Sequence, residues 1–379
     1  MFFILGSERI RTTVNIDIRS IRSHLATEIY ISATPVISLP VQEQWQQIFA
    51  AIRDVLLAKN AFILQERIFG TTQALKIAPK IRSEIYGSID DGVPPALLVC
   101  RESLLGPVSG VQIHACSCNT KPQMVTLQQN YCGRVIKLPG RTFLTLSGIA
   151  GPPSLNPALQ AKEMMENAES ILKQFDADFF SVPRTWMWLS DILSWYGDFN
   201  NARNQFFTER GLIKKNGGLS LPASTGIGLA PAGGSSCAMD LIAVLEPAGS
   251  IQYLPGAGRQ HCPIEYGSAF SRAAVAVTPA AKTVFVSGTA CIDSEGKTAH
   301  IGDPAGQIND TIENVRSVLN DVHCKDSDVV SAIAYCKNTD VEKVFNDIKR
   351  NLSWPLVTAI CDICRPDLLF ELEAAATIS

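Results

Sequence analysis

The sequence predicts an α+β fold: mixed sheets with helices on one face, built from two to three pseudo-repeats that form a pseudo-trimer within one chain. Three observations predict it. First, a Ser-Gly motif at a strand end occurs twice, as Ser147-Gly148-Ile149-Ala150 and Ser287-Gly288-Thr289-Ala290. Second, the same signals follow each copy. These are Gln160 with Glu166-Asn167 or Gln307 with Glu313-Asn314, a Phe-Asn pair (Phe199-Asn200, Phe345-Asn346) and a Pro-led strand (Pro222, Pro355). An alternating strand closes each copy, at Ala238–Ile242 or Phe370–Ala374. Third, the spacing agrees, since Asn167 to Asp191 and Asn314 to Asn338 both span 24 residues. A sheet covered by helices on one face must bury its other face elsewhere, and three such units can bury theirs against one another.

The C-terminal copy, residues 247–379, is the clearest. Thr283 to Gly288 reads as a strand, and Cys291 to Gly296 as a strand end and turn. Asp303 to Asp321 carries Ile308, Ile312, Val315, Val318 and Leu319 at helical spacing. Val329 to Cys336 is a strand, and Asp340 to Leu352 a helix with Val341, Val344, Phe345 and Ile348 on one face. Pro355 to Cys361 and Leu368 to Ala375 close the unit. The middle copy, residues 141–246, follows the same order, with a longer and more aromatic second helix. Residues 1–140 read as a degraded copy and a scaffold. It has a helix at Gln42 to Leu57, a strand at Ala61 to Phe69, a helix at Gln73 to Tyr86, and closing strands at Pro94 to Cys100 and Gly110 to Ala115. No Ser-Gly motif or Glu-Asn pair stands out in it. Gln112 falls where Asp240 and Glu371 stand in the other copies. The Gly- and Pro-bearing stretches Leu212 to Leu219 and Glu246 to Ala281 read as loops near unit junctions.

Composition narrows the class of function. The 379 residues are 46% hydrophobic and 18% charged, with a net charge of −3. That suits a globular protein and gives no electrostatic footprint for nucleic acid. No apolar run approaches the roughly 18 residues of a membrane helix. Met1 to Gly6 is too short for a signal-peptide core. Eleven cysteines include one Cys-x-x-Cys, Cys361 and Cys364, without a partner pair at zinc spacing. Buried thiols in a cytoplasmic protein, without metal or cofactor, are the expectation.

The Ser-Gly, Gln…Glu-Asn, Phe-Asn, Pro-led and Glu-x-Glu-Ala signals together resemble the YjgF/RidA fold, whose members form trimers with sites between subunits. A longer set resembles chorismatases, RidA-like enzymes that remove pyruvate from chorismate. It comprises Pro183-Arg184-Thr185-Trp186-Met187-Trp188, Trp195-Tyr196-Gly197-Asp198-Phe199-Asn200-Asn201-Ala202-Arg203, Thr208-Glu209-Arg210-Gly211, Leu221-Pro222-Ala223-Ser224-Thr225-Gly226, Cys237-Ala238-Met239-Asp240-Leu241 and Phe270-Ser271-Arg272-Ala273. The likeness covers residues 140–379 well and the N-terminal third loosely. It implies RidA/chorismate-mutase-like units, chorismate as the small-molecule partner, no cofactor, and a monomer whose site lies between unlike units.

Cofactor-free cleavage of an enol ether with two carboxylates needs a protonated acid and two cations. Glu371 is the expected acid, since its strand is otherwise apolar and a free Glu titrates near ~4.3 unless desolvated. Alternation puts Glu373 on the same face, where each carboxylate raises the other. Arg184, Arg203 and Arg272 are the expected carboxylate ligands, with Arg210 structural. The alternatives are an ion pair of Arg184 with Asp191 or Asp198, and a solvated helix face for Arg203. Tyr196 is expected to pack on the ring, with Ser224 and Thr225 offering hydroxyls, and Trp186 and Trp188 to be core aromatics. Ala273 and Cys364 are the candidates for small residues that steer the product. Two rival readings stand beside this one. A RidA-type imine or enamine hydrolase is implied to need an arginine on its Pro-led strand, which Pro222 to Gly226 and Pro355 to Ala359 lack. A non-catalytic metabolite-binding protein would need no acid pair.

Overall fold

A computed structural model describes residues 4–214 and 218–378. Residues 1–3, part of the stretch weighed as a signal peptide, and residues 215–217, within the expected loop at 212–219, lie outside the described residues. The first unit runs β1 (Ile4–Arg11), β2 (Val14–Arg22), β3 (Thr27–Pro35), α1 (Val41–Ala58), β4 (Phe62–Gly70), α2 (Thr72–Tyr86), β5 (Ala96–Val99) and β6 (Val108–Ser117). The second runs β7 (Gln123–Leu127), β8 (Asn130–Leu138), β9 (Arg141–Ala150), α3 (Pro157–Lys173), β10 (Arg184–Leu189), α4 (Ile192–Glu209), β11 (Ala223–Ile227), β12 (Ala230–Pro231) and β13 (Cys237–Glu246). The third runs β14 (Gln252–Leu254), β15 (Ala273–Val277), β16 (Lys282–Ala290), α5 (Pro304–Asp321), β17 (Val329–Cys336), α6 (Thr339–Ile348), β18 (Leu356–Ile360) and β19 (Phe370–Ile378).

One topology serves all three. The sheets are ordered β1-β2-β3-β6-β4-β5-β12, with the two-residue β12 added from the second unit, β7-β8-β9-β13-β10-β11 and β14-β15-β16-β19-β17-β18. In each, the last strand inserts antiparallel between the third and fourth, while the fourth and fifth are parallel because a helix crosses between them. Side-chain caps start several helices as the sequence leads one to expect: Asn156 for α3, Asp303 for α5 and Asn338 for α6. The first unit is therefore complete in topology, and only its motifs have diverged. Its β1 to β3 were not placed by the sequence reading. Ser32-Ala33-Thr34-Pro35 ends its third strand, where Ser287-Gly288-Thr289-Ala290 ends the third strand of the third unit. The hairpin β7–β8 pairs with β9, so the second sheet begins at Gln123 and not at 141. The stretch from 246 to 281, read as loop, holds β14 and β15, which extend the third sheet.

Helices cover one face of each sheet, each pair over its own core. The other three faces meet in a shared core of Leu64, Phe69, Trp186, Trp188, Ile227, Phe285, Tyr335, Val357 and Ile363, with contributions from every unit. Burial of this apolar surface, at roughly 25 cal/mol per Å², holds the three units together. Trp186 and Trp188 are the core aromatics expected of them, and the Arg67 guanidinium lies 3.7 Å over the Trp186 ring. Backbone pairing also passes from unit to unit. Ala230 and Pro231 pair with Val99 and Leu98, Gly228 with Asp362, and Arg101 with Ile360. At Gly228 the approach is so close that a Cβ would lie 2.5 Å from the Asp362 carbonyl oxygen. The three units thus form an internal pseudo-trimer.

Candidate active site

The acid strand and the arginine- and aromatic-rich wall come together where the second and third units meet. β19 presents Glu371 and Glu373 toward the interface, each 4% exposed. α4 supplies Tyr196 and Arg203, and β11 supplies Ser224 and Gly226. The segment before β15 supplies Tyr266, Ser268, Phe270 and Arg272, and the segment before β19 supplies Cys364, Arg365 and Leu368. With Gly288, Ala290, Ile292 and Glu371 these residues line a pocket with a cavity volume of ≈ 50 Å³.

The two glutamates have different surroundings. Glu373 accepts from three donors: Arg184 Nη2 at 2.8 Å, Trp186 Nε1 at 2.7 Å and Thr225 Oγ1 at 2.5 Å. Thr225 Oγ1 must donate here because it already accepts from Arg184 Nη2 (2.6 Å) and Gly288 N (2.9 Å). A carboxyl surrounded only by donors is bound as a carboxylate. Glu371 faces the pocket instead. Burial first, and then the neighbouring Glu373 charge, push its carboxyl up to about 8, against the opposing pull of Arg184 and Arg272. It is therefore a protonated acid at neutral pH, the division of labour expected when two carboxylates share one face.

Register separates the two acids further. Ala150 pairs with Ala238 and Ala290 pairs with Glu371. Aligning the Ser-Gly motifs thus sets Glu371 against Ala238 and Glu373 against Asp240, which corrects the expectation that Asp240 matches Glu371. The roles agree with this register. Asp240 accepts from Arg67 Nε of the first unit (2.8 Å) and from Gly148 N (2.8 Å), as Glu373 accepts from Arg184 of the second. An arginine from one unit and a carboxylate from the next form a recurring interface strut. Glu371 has no carboxylate counterpart in the middle unit, and the same register sets Gln112 of the first unit against Glu373 and Gly110 against Glu371, which corrects the placing of Gln112 as well. Gln112 donates to the Ala332 carbonyl oxygen.

The cations are buried and only partly engaged. Arg203 is 1% exposed, donates to Asn200 Oδ1 (2.6 Å), and has no partner for Nε. This replaces the solvated helix face weighed for it. Arg272 is 3% exposed and donates to His261 O (3.0 Å) and Tyr266 Oη (2.6 Å). Desolvation lowers the pKa of both guanidiniums, since no carboxylate pairs with them. An anionic ligand would reverse that penalty. Burial pushes the Tyr196 phenol and the Cys364 thiol each up to about 12, so both are neutral walls.

Of the expected site residues, Glu371, Tyr196, Arg203, Ser224, Arg272 and Cys364 line the pocket. Glu373, Arg184 and Thr225 form the network behind it. Arg184 is tied to Glu373 and Thr225, not to Asp191 or Asp198, and does not line the pocket. Ala273 also lies away from it. Strand alternation turns Ala273 into the core beneath α5, beside Ile308 and Val284, so it cannot contact a ligand there. Arg210 is structural, as expected, paired with Glu169 (2.8 Å) and lying over Phe206. Tyr266, Ser268 and Arg365 were missed. Tyr266 and Ser268 sit in a stretch read as loop, and Arg365, between Asp362 and Asp367, reads locally as part of a polar turn.

Gly288 explains why the Ser-Gly motif persists here. A Cβ at this position would lie 2.1 Å from Glu371 Oε1 and 3.0 Å from Thr225 Cγ2. Gly288→Ala is expected to displace the acid and lower activity about 100-fold, with stability changed far less. Paired kinetic and thermal-melt measurements check this. Beside the pocket, Cys291, His300 and Asp310 bring ligand-type atoms within 4.8 Å of one another, with Asp310 also paired to Arg259 (3.3 Å). Among the described residues, no helix is long and apolar enough to cross a membrane.

Comparison with known proteins agrees with this architecture. Residues 266–378 match the profile of the family described as Endoribonuclease L-PSP. A solved chorismatase structure superposes with a TM-score of 0.59 at 19% identity, covering 83% of this chain and 93% of its own. That likeness shows a chorismatase-like fold. A YjgF-family protein from Neisseria meningitidis, NMB1025, gives a TM-score of 0.26 at 16% identity over 34% of this chain and 95% of its own. The YjgF gene product of E. coli gives 0.23 at 18% identity over 29% and 88%. Comparison with curated protein sequences gives no match.

Proposed function

We propose that the chain is a chorismatase, a pyruvate-releasing enzyme that acts on chorismate without a cofactor, as a cytoplasmic monomer. One observation carries the reading: a neutral, buried Glu371 faces a pocket whose walls hold two buried, carboxylate-free guanidiniums. Arg203 and Arg272 take the two carboxylates of the substrate, and the Tyr196 ring packs against its diene. Glu371 gives its proton to the enolpyruvyl methylene carbon, and the adjacent ether carbon becomes an oxocarbenium ion. Glu373, held ionised by its three donors, keeps negative charge near the cation as it forms. Attack by water, followed by C–O cleavage, releases pyruvate and leaves a dihydroxycyclohexadiene carboxylate. Attack by the neighbouring ring hydroxyl on the oxocarbenium carbon gives a cyclic ketal. Loss of a ring C–H proton with cleavage of the adjacent ring C–O bond aromatises the ring, and the remaining hemiketal collapses to pyruvate and 3-hydroxybenzoate or, if the other C–O bond breaks, its 4-isomer. Cys364, in the pocket wall, is the residue placed to bias this choice, and Ala273 is not.

Incubation with chorismate should release pyruvate in proportion to enzyme, and release no faster than in buffer would refute the reading. Arg203→Met should lower kcat/KM about 10- to 100-fold, the worth of a hydrogen bond to a charged group, mostly through KM. Steady-state kinetics on the folded variant measure this.

A further inference from the structure

The interface between the third and first units holds a pocket of its own, ≈ 200 Å³ in volume. Equivalent elements build it: the end of α6 in place of α4, β18 in place of β11, and β3 in place of β16. Counted from the Phe-Asn pair, Lys349 stands where Arg203 stands. Asp17, paired with Ser32 across β2 and β3, stands where Arg272 stands beside Ser287. The acid is gone, because β6 carries no Asp or Glu. What remains is a shaped cavity with charge in it and no proton donor at the reacting position.

Its charges do not balance internally. Arg9 and Arg19 both donate to Asp17, at 2.8 and 2.9 Å, so two guanidiniums share one carboxylate. Glu342 is 6% exposed, and Leu104 N donates to it at 2.8 Å. Lys349 makes no ion pair with any described residue. Burial lowers its pKa, against the pull of Glu342. Trp354 lines the same pocket, is 2% exposed, and its Nε1 has no hydrogen-bond partner. A buried indole N–H without an acceptor is costly, and the half-buried Lys349 ammonium, lying over the Phe345 ring with Glu342 as its opposite charge in the same pocket, keeps donor capacity to spare. Both donors line the same pocket.

We propose that this pocket is a second, non-catalytic site that binds a small carboxylate anion through the Lys349 ammonium and the Trp354 indole N–H. It does not depend on the pyruvate-releasing reaction. The test is titration of the full chain with benzoate at constant ionic strength, followed by calorimetry and tryptophan fluorescence, with benzamide as the uncharged control. Lys349→Met should weaken benzoate binding at this site at least 10-fold, and Lys349→Arg should retain it. Trp354→Phe should abolish the fluorescence change, and Arg203→Met should leave it intact. Binding that is unchanged in Lys349→Met, lost only in Arg203→Met, absent altogether, or matched by benzamide would overturn the proposal. Thermal melts confirm that each variant is folded.

Discussion

Glu371→Gln is expected to lower kcat for pyruvate release by about 10²- to 10⁴-fold, the usual worth of a general acid, while making the protein more stable in alkali. Both effects come from the same carboxyl. Burial and the Glu373 charge push its pKa in the folded chain up to about 8, against 4.5 for an ordinary glutamate. Between those values the folded state holds a proton that the unfolded state has lost, so stability falls as pH rises from about 4.5 and levels off above about 8. Gln cannot ionise and removes that loss. The variant should match the wild type near pH 4 and exceed it at pH 9 by an amount on the order of a few kcal/mol, read from denaturant melts at the two pH values. For the wild type, kcat/KM should fall with a midpoint near pH 8, as the acid form is titrated away. A variant with full activity, or a stability gain independent of pH, would remove Glu371 from this role.

Arg184→Met should destabilise the chain by about 3 to 5 kcal/mol, the cost of leaving a buried charge without its partner. Arg184 is 2% exposed, and its partner Glu373 lies in the same closed interface. Chemical denaturation of the single variant measures the loss. In the double variant Arg184→Met/Glu373→Leu the orphan charge is gone as well, and most of the stability should return. Activity should not return, because Glu373 also helps to hold Glu371 protonated. A double variant no more stable than the single one would mean that packing, not charge, accounts for the loss.

Much of this was legible because certain signals are local. The Asp303–Asp321 helix, the Val329–Cys336 strand and the Glu-x-Glu strand each follow from periodicity within a few residues. The strand β15 was not legible, because Ala273–Val277 is apolar at every position and alternation disappears, whereas β2, with Val14, Ile16 and Ile18 alternating with Asn15, Asp17 and Arg19, carried a readable signal that the sequence reading did not use. Site residues were readable where an expensive side chain sits among apolar ones, as with Glu371 and Arg184. Partners were not. Nothing local told Arg184 that its carboxylate lay 189 positions away, and only the fold assigns Glu373 to it. Ala273 was misplaced because one step along a strand reverses its face, and motif alignment does not resolve one step.

The backbone bridges between units bear on solubility. The parallel edge strand of a sheet is an open template that other molecules can extend. Here β5 is met by Ala230 and Pro231, the end of β11 by Asp362 and the end of β18 by Arg101. Each fifth strand is blunted by the neighbouring unit, in one case by a proline with no N–H to pass on. The chain therefore covers one edge of each sheet with its own neighbouring segments, so the contacts that join the units also close backbone that another molecule could otherwise extend.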